Sequence, residues 1–220
     1  MKTVIFDLDG TLADTSGDLI AAANACFAAL GHSAMLDERE DQLTAFHGAR
    51  AMLRLGFSRL GEVHEADVDA QYPVFLDYYA ENIDVKTMLY PGAIDAVEAL
   101  RSANYAVGIC TNKPEALAES LMQRLGVRDM FGALIGADTL PVRKPDPVHY
   151  FHTVQMVGGD PGRSVLIGDT ETDEKTARAA GVPIVLVEFG PEGPGISRLK
   201  PDAMLPDYGQ LGTVVRDLIG

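Results

Sequence analysis

Positive charge is scarce in this sequence. The 220 residues include 18 lysines and arginines against 32 aspartates and glutamates, which gives a formal net charge of −14. A surface this acidic repels nucleic acids and anionic membranes, so we expect neither as a partner. It also repels anionic substrates at long range. A site for a phosphate group therefore needs a few locally concentrated cations or a bound metal.

Long apolar runs are absent, and cysteine is rare. No apolar run approaches the ~20 residues that span a bilayer. The N-terminus, where Asp7 interrupts a short apolar triplet, is not typical of a signal peptide. The two cysteines, Cys26 and Cys110, lie in apolar contexts, which favours buried thiols over a disulfide. We expect a cytoplasmic, soluble protein.

Short apolar segments alternate with helical patterns along most of the chain. Continuous apolar runs are typical of strands in a parallel sheet that is covered on both faces. The runs predicted as strands are Thr3–Phe6, Ala106–Cys110, Ala133–Ile135, Val165–Ile167 and Ile184–Val187. Helices are predicted between them, for example from Pro147 to Val157 and from Glu171 to Ala180. This alternation predicts an α/β fold with a doubly wound, Rossmann-like parallel sheet.

Residues 15–85 interrupt this alternation. They contain no convincing strand, and Val68, Tyr72, Phe75 and Tyr79 recur at the spacing of one helix face. The sequence therefore predicts an all-helical domain over residues 15–85, inserted into an α/β core that is made of residues 1–14 and 86–220.

Four groups of polar residues each come just after a predicted strand or in the loop that follows it. In an open parallel sheet, ligands bind at the carboxyl ends of the strands, so these groups are expected to converge. The groups are Asp7 with Asp9; Thr111, Asn112 and Lys113; Lys144; and Asp169 with Asp173.

Four carboxylates in one pocket repel each other, so that some pKa values rise or a cation is required. Oxygen ligands in a small site beside a phosphate suit Mg²⁺. Asp169 and Asp173 are four residues apart, and a helix that began at Asp169 would place both on one face. The sequence therefore predicts a magnesium site at this edge of the sheet.

These segments resemble the four motifs of the haloacid dehalogenase superfamily, in the order of that family. The matching segments are Asp7-Leu8-Asp9-Gly10-Thr11, Thr111-Asn112, Lys144 and Gly168-Asp169-x-x-x-Asp173. The stretches Asp7–Asp14 and Thr111-Asn112-Lys113-Pro114 are most similar to phosphoglycolate phosphatase-like members. The helical insert resembles a cap domain of the first type, and a cap that closes over the site favours small soluble substrates.

The resemblance implies a role for each matching residue. Asp7 would be a nucleophile that forms an aspartyl-phosphate, and Asp9 would act as acid and then as base, with Thr11 orienting it. Phosphoryl oxygens would contact Thr111, Asn112 and the catalytic Lys144. The implied Mg²⁺ ligands are Asp7, Asp169, the backbone carbonyl of Asp9, and Asp173, the last directly or through water.

The insert gives weaker signals. The segment His47-Gly48-Ala49-Arg50 resembles a cap loop that meets substrate in related phosphatases, although those relatives more often carry further small residues there. Arg50 could bind a substrate carboxylate through its planar guanidinium group, and a solvated surface arginine explains the residue equally well. Phosphoglycolate is the first choice of substrate by resemblance alone.

Four other functions compete with a phosphomonoesterase. A sugar phosphomutase of the same superfamily shares the four motifs and the cap. A dehalogenase needs neither Asp9 nor the metal carboxylates, and a phosphoaspartate signalling module has no place for an inserted cap. A purely structural binding protein would require a blocked pocket. The sequence does not indicate the oligomeric state.

Overall fold

The computed structural model describes Met1–Gly220. It divides into two compact units, one made of Met1–Ala13 and Leu89–Gly220 and the other of Asp14–Met88. We call them the core unit and the helical unit. The boundaries expected from the sequence lie after residues 14 and 85.

The core unit is built on a parallel sheet of six strands. In chain order the strands of the protein are β1 (Thr3–Phe6), β2 (Ala13–Asp14), β3 (Met88–Leu89), β4 (Ala106–Cys110), β5 (Ala133–Ile135), β6 (Ser164–Gly168), β7 (Ile184–Val187) and β8 (Ala203–Leu205). The six are ordered β5-β4-β1-β6-β7-β8, and the short β2 and β3 pair separately where the chain passes from one unit to the other.

The strand order places β1 at the centre, between β4 and β6. Thr3 pairs with Ala106 on one side and with Ser164 on the other. The chain extends the sheet outwards from β1 through β4 and β5, and then continues from β6 on the opposite side. This reversal of direction is the topological switch point at which open α/β sheets bind ligands. The predicted doubly wound fold is confirmed.

Nine α-helices connect the strands and form the insert. They are α1 (Ser16–Ala29), α2 (Gln42–Phe46), α3 (Ala49–Leu60), α4 (Glu65–Glu81), α5 (Ala93–Ser102), α6 (Glu115–Arg124), α7 (Pro147–Met156), α8 (Glu171–Ala180) and α9 (Leu211–Ile219). Helix α7 begins with Pro147 in its first turn, and the side chain of Asp146 accepts the Val148 N–H at 2.9 Å, which satisfies a free donor of that turn.

The hydrophobic core of the core unit lies directly beneath the strand ends that carry the polar groups. Fully buried residues from β1, β6 and β7, including Ile5, Leu166 and Ile184, pack against Tyr150 and Val154 of α7. Each large apolar side chain buried in this way contributes about 1.5–3 kcal/mol. This packing makes the sheet a rigid base for the residues at its edge.

The helical unit has its own core. Phe27 and Phe57 meet edge to face with ring centroids 5.1 Å apart, and a Cβ on Gly56 would lie 2.2 Å from the Phe27 ring. Only glycine therefore allows α3 to approach α1 so closely. The buried Asp18 accepts the N–H groups of Lys86 and Thr87 at 2.8–3.0 Å. These bonds fix the chain segment that precedes β3.

The four residues predicted to share a helix face lie on α4. Val68, Phe75 and Tyr79 are buried, and Tyr72 is half-buried. All regular secondary structure within residues 15–85 is helical, as predicted. None of the helices in either unit combines the length and the apolar character that crossing a bilayer would require.

Candidate active site

The ends of three neighbouring strands bring the predicted polar groups together. Phe6, at the end of β1, pairs with Ile109 of β4 and Ile167 of β6. The next residue, Asp7, donates its N–H to the Ile167 carbonyl at 2.9 Å. Because the strands are parallel and in register, the residues that follow them lie at one edge of the sheet.

Asp7 is buried at the centre of this edge. Its Oδ1 accepts the N–H of Leu8 at 2.7 Å and lies 3.0 Å from Lys144 Nζ. Burial, together with the carboxylates of Asp173 and Asp9, outweighs the attraction of Lys144 and raises the pKa of Asp7 to about 6. Both contacts use Oδ1, so neither of them occupies Oδ2.

Lys144 lies between two carboxylates, with Nζ 2.6 Å from Asp173 Oδ1 and 3.0 Å from Asp7 Oδ1. Burial alone would favour the neutral amine, but the two carboxylates more than offset it and raise the pKa of Lys144 well above its usual value. This lysine is therefore a permanent cation at the site. Asn112 donates its side-chain N–H to the Lys144 carbonyl at 2.9 Å and so fixes the loop that carries it.

Asp173 lies in the first turn of α8. It forms a capping box with Thr170, whose hydroxyl donates to Asp173 Oδ2 at 2.6 Å and whose N–H donates to the same oxygen at 3.1 Å. The Asp169 N–H points to that oxygen at 3.3 Å. One carboxylate therefore caps the helix with one oxygen and holds Lys144 with the other.

The expectation that Asp169 and Asp173 share a helix face is wrong. Helix α8 begins at Glu171, and the preceding Thr170 has the extended backbone of an N-cap residue (φ −127°, ψ 163°). Asp169 consequently lies outside the helix, in the turn that leaves β6. The capping turn, rather than helical periodicity, brings the two carboxylates together.

Asp169 has one satisfied oxygen and one unsatisfied oxygen. Its Oδ1 accepts the Thr11 hydroxyl at 2.9 Å, whereas Oδ2 is buried and has no hydrogen-bond partner. Burial and the charges of Asp173 and Asp7 raise the pKa of Asp169 well above its usual value. Thr11 was expected to orient Asp9; its hydroxyl donates to Asp169 instead.

These carboxylates fit a divalent metal ion. One oxygen each from Asp7, Asp169 and Asp173 lies within 4.8 Å of the others. The unpartnered Asp169 Oδ2 is the kind of buried polar atom that a cation would satisfy, and an all-oxygen donor set suits Mg²⁺. Asp173 is the most occupied of the three by other donors, which favours a metal contact through water for this residue.

Thr111 and Lys113 continue the chain beyond β4. Thr111 is buried, and its Oγ1 accepts the N–H of Lys113 at 3.2 Å, so its hydroxyl proton stays available to a phosphoryl oxygen. Lys113 is buried as well and places Nζ 2.8 Å from Asp9 Oδ1. The sequence grouped Lys113 with Thr111 but assigned it no role. Its position between two motif residues and a helix was the only available signal.

Gly10 shapes the turn that follows Asp9. Gly10 has φ +80°, a conformation that side chains disfavour, and its N–H donates to the Ala13 carbonyl at 2.9 Å. The chain thus leaves the strand sharply. Asp9 and Asp7 remain two residues apart at the strand end.

Within the helical unit, Arg50 is held by neighbouring side chains. Its guanidinium group forms an ion pair with Asp69 and lies over the Tyr72 ring, 4.4 Å from the centroid. His47 is exposed at the end of α2. A substrate contact by Arg50 stays a prediction, and it would require the guanidinium group to be shared with Asp69.

The two cysteines are free and buried, as the sequence indicated. Cys110 lies 3.2 Å from His149 Nδ1, and His149 Nε2 lies 2.8 Å from the Gly136 carbonyl. The thiol, whose pKa burial raises to about 12, is a protonated packing group beneath the site.

The fold is that of a known class of hydrolases. A family model for haloacid dehalogenase-like hydrolases matches residues 1–181. The protein belongs to this family.

Its similarity to individual members extends over nearly the whole chain. It is 39% identical over 209 residues to a phosphoglycolate phosphatase of Mesorhizobium japonicum, and the aligned region covers 94% of this chain and 92% of that protein. It is 38% identical to a phosphoglycolate phosphatase of Agrobacterium fabrum, across 94% of this chain and 89% of that protein. The predicted phosphatase class is confirmed.

A solved structure has the same fold. The crystal structure of a predicted phosphoglycolate phosphatase from Haemophilus somnus superposes with a TM-score of 0.85 and 25% identity, and the match covers 97% of both chains. The expected core with a helical cap is therefore the arrangement found in this family.

Proposed function

We propose that this protein is a magnesium-dependent phosphomonoesterase that acts on a small phosphorylated metabolite, with phosphoglycolate as the first choice. The reaction would pass through an aspartyl-phosphate on Asp7. One observation carries the proposal: the buried nucleophile candidate Asp7 lies 3.0 Å from a permanent cation, Lys144, and beside an unpartnered buried oxygen of Asp169. Such a site attracts both a phosphoryl group and a divalent metal.

In the first step an oxygen of Asp7 attacks phosphorus, and the bond from phosphorus to the ester oxygen breaks. Asp9 gives its proton to that oxygen, which leaves as an alcohol. Lys144 and the Thr111 hydroxyl stabilise the negative charge on the phosphoryl oxygens in the transition state. The products of this step are the alcohol, the aspartyl-phosphate and ionised Asp9.

In the second step ionised Asp9 takes a proton from water as the water attacks phosphorus. The bond between phosphorus and the Asp7 oxygen breaks, which releases inorganic phosphate and restores both carboxyl groups to their starting states. The ion pair with Lys144 stabilises Asp7 as the leaving carboxylate. A single pair of aspartates thus completes the cycle without any other acid or base.

Asp7 and Asp169 would hold Mg²⁺, with the Asp9 backbone carbonyl as a further ligand and Asp173 acting through water. Bound there, the ion would offset the repulsion between the carboxylates and the anionic ester. The formal charge supports this assignment. Before the first step, with Asp9 protonated, Asp7, Asp169 and Asp173 carry three negative charges and Lys113 and Lys144 two positive ones, so the site lacks one positive charge.

Phosphoglycolate is the preferred substrate because the similar proteins of Mesorhizobium japonicum and Agrobacterium fabrum are named phosphoglycolate phosphatases. The test is release of inorganic phosphate from a panel of esters that contains 2-phosphoglycolate, hexose phosphates and nucleoside monophosphates. It is run with Mg²⁺ and after chelation. We expect Mg²⁺-dependent turnover, with 2-phosphoglycolate giving the highest kcat/KM.

The test variant is Asp7→Asn. Its control is Asp129→Asn, at an exposed position away from the site. We expect Asp7→Asn to lower kcat by more than ~10³-fold and Asp129→Asn to leave it unchanged. A phosphoryl adduct on Asp7, trapped by acid quench and located by mass spectrometry, would identify the intermediate. Isomerised hexose phosphate without release of phosphate would instead indicate a phosphomutase, and an active Asp7→Asn variant would refute the mechanism.

A further inference from the structure

We propose that Lys113 is a positioning residue that holds the Asp9 carboxylate in the orientation needed for proton transfer. This inference rests on the proposed function, in which Asp9 is the acid and base. It concerns Lys113, a lysine distinct from Lys144, in the segment that follows β4.

The contact between the two side chains is close and shielded from water. Lys113 Nζ lies 2.8 Å from Asp9 Oδ1, and the lysine side chain is only 3% exposed, against 19% for the Asp9 side chain. A charge-assisted hydrogen bond in such surroundings is stronger and better oriented than one at a surface. Asp9 is therefore the more accessible partner, as a residue that meets substrate must be.

The backbone of Lys113 is fixed on both sides. Its N–H donates to Thr111 Oγ1 at 3.2 Å, and its carbonyl accepts the N–H of Ala137 at 2.9 Å. Thr111 is itself anchored at the end of β4, where its N–H donates to the Ile135 carbonyl at 3.0 Å. The ammonium group thus projects from a rigid segment, and it can restrict the rotation of a carboxylate that it binds.

The two buried lysines contact different carboxylates of the site. Lys144 pairs with Asp7 and Asp173, and Lys113 pairs with Asp9. Asp9 lies outside the cluster that Asp7, Asp169 and Asp173 form, so a metal bound by that cluster leaves the contact between Lys113 and the Asp9 carboxylate in place. Proton transfer requires this carboxylate within hydrogen-bond reach of the ester oxygen, and a free rotor would spend part of its time elsewhere.

The experiment compares Lys113→Met and Lys113→Arg with the matched control Lys175→Met. Lys175 also pairs with a carboxylate, Glu171, but its side chain is 58% exposed. The release of the alcohol or phenol is followed in a single turnover, since this isolates the step in which Asp9 acts as acid. The substrates are 2-phosphoglycolate, an alkyl ester whose leaving group needs a proton, and p-nitrophenyl phosphate, whose leaving group does not.

We expect Lys113→Met to slow release from 2-phosphoglycolate by about 10- to 100-fold, a part of the 10²–10⁴-fold that acid–base catalysis contributes. Release from p-nitrophenyl phosphate should change less than about threefold, because the acid contributes little there. The KM for 2-phosphoglycolate should stay within about twofold. Lys113→Arg should recover most of the rate, and Lys175→Met should match the wild-type protein.

Three results would overturn the inference. Equal losses with both esters would indicate a general structural role, and a raised KM at unchanged kcat would make Lys113 a substrate contact. An unchanged rate in Lys113→Met would remove any role. If Lys113→Met does not fold, Lys113→Gln replaces it, and the same rate loss selective for 2-phosphoglycolate is required of that variant. Absence of turnover in the wild-type protein on every ester would refute the proposed function itself.

Discussion

Gly168 and Asp173 lie so close together that only glycine fits at position 168. A Cβ on Gly168 would lie 2.5 Å from Cβ and Cγ of Asp173, well inside contact distance. Asp173 holds Lys144 with one oxygen and caps α8 with the other. The absence of a side chain at the end of β6 therefore sets the position of the cation at the phosphoryl site.

The first prediction concerns Gly168→Ala. The added methyl group must displace Asp173, which costs about 1–3 kcal/mol of stability through overpacking and moves Lys144 away from Asp7. We expect kcat to fall by more than about tenfold with a smaller change in KM, since positioning is lost. Phosphate release and urea unfolding measure the two effects. Gly212→Ala in α9 is the control, because no atom of another segment lies within 4 Å of its added Cβ. An equal effect of both variants would contradict the role of Gly168 in positioning Asp173.

The second prediction concerns Lys144→Met. Removing the cation leaves Asp7 and Asp173 buried without a counter-charge, and breaking a buried pair costs about 3–5 kcal/mol. Protonation of Asp7 relieves part of this cost, so the loss should be larger at pH 8 than at pH 5. Urea unfolding at both pH values measures it. The surface variant Lys175→Met should change stability by less than ~1 kcal/mol, and a similar small change in Lys144→Met would argue against the buried ion pairs.

The third prediction concerns pH in the absence of divalent metal. The pKa of Asp7 is raised from 3.8 to about 6 in the folded protein. The folded state therefore binds the proton more tightly than the unfolded state, and this stabilisation is present below pH 3.8 and is lost as the pH rises through about 6. The shift is worth at most about 3 kcal/mol. Asp169, whose pKa is also raised, acts in the same direction.

Unfolding of the metal-free protein between pH 4.5 and 8 measures this dependence. We expect stability to decline across that range, to decline less in Asp7→Asn, and to be restored at pH 8 by Mg²⁺, which replaces the protons as the partner of the carboxylates. Mg²⁺ should stabilise the protein less at pH 4.5, where protons compete for the same oxygens. If the metal-free wild-type protein instead became steadily more stable from about pH 4.5 to 8, this would contradict the raised pKa values of Asp7 and Asp169.

The parts of the site that local patterns encode were predictable from the sequence. The strands before Asp7, Thr111 and Asp169 are continuous apolar runs, and parallel pairing then brings their ends together whatever the details of packing. The five predicted strands are confirmed, with β6 one residue longer at each end. The short edge strand β8, Ala203–Leu205, was missed.

The pairings within the site depend on tertiary packing, so the sequence could not supply them. Thr11 was expected beside Asp9, but the turn at Gly10 directs its hydroxyl to Asp169. The Thr11 carbonyl in turn accepts the Tyr208 hydroxyl at 2.7 Å, across 197 residues of sequence. No periodicity relates such distant residues, and a lone sequence has no means of pairing them.

The fourth prediction concerns Thr11→Val, which removes one hydroxyl group and keeps the shape of the side chain. Asp169 Oδ1 then loses its donor at 2.9 Å, and the carboxylate is free to rotate away from its position beside the other carboxylates of the cluster. Loss of such an outer contact typically lowers metal affinity by about 10–100-fold. We therefore expect the Mg²⁺ concentration for half-maximal activity to rise by that factor, while kcat at saturating Mg²⁺ falls much less.

Thr213→Val on the exposed face of α9 is the matched control and should leave the Mg²⁺ dependence unchanged. An unaltered Mg²⁺ requirement in Thr11→Val would mean that Asp169 needs no help from Thr11 to bind the ion. A large fall in kcat at saturating Mg²⁺ would place Thr11 in the chemical step, where the sequence first suggested it.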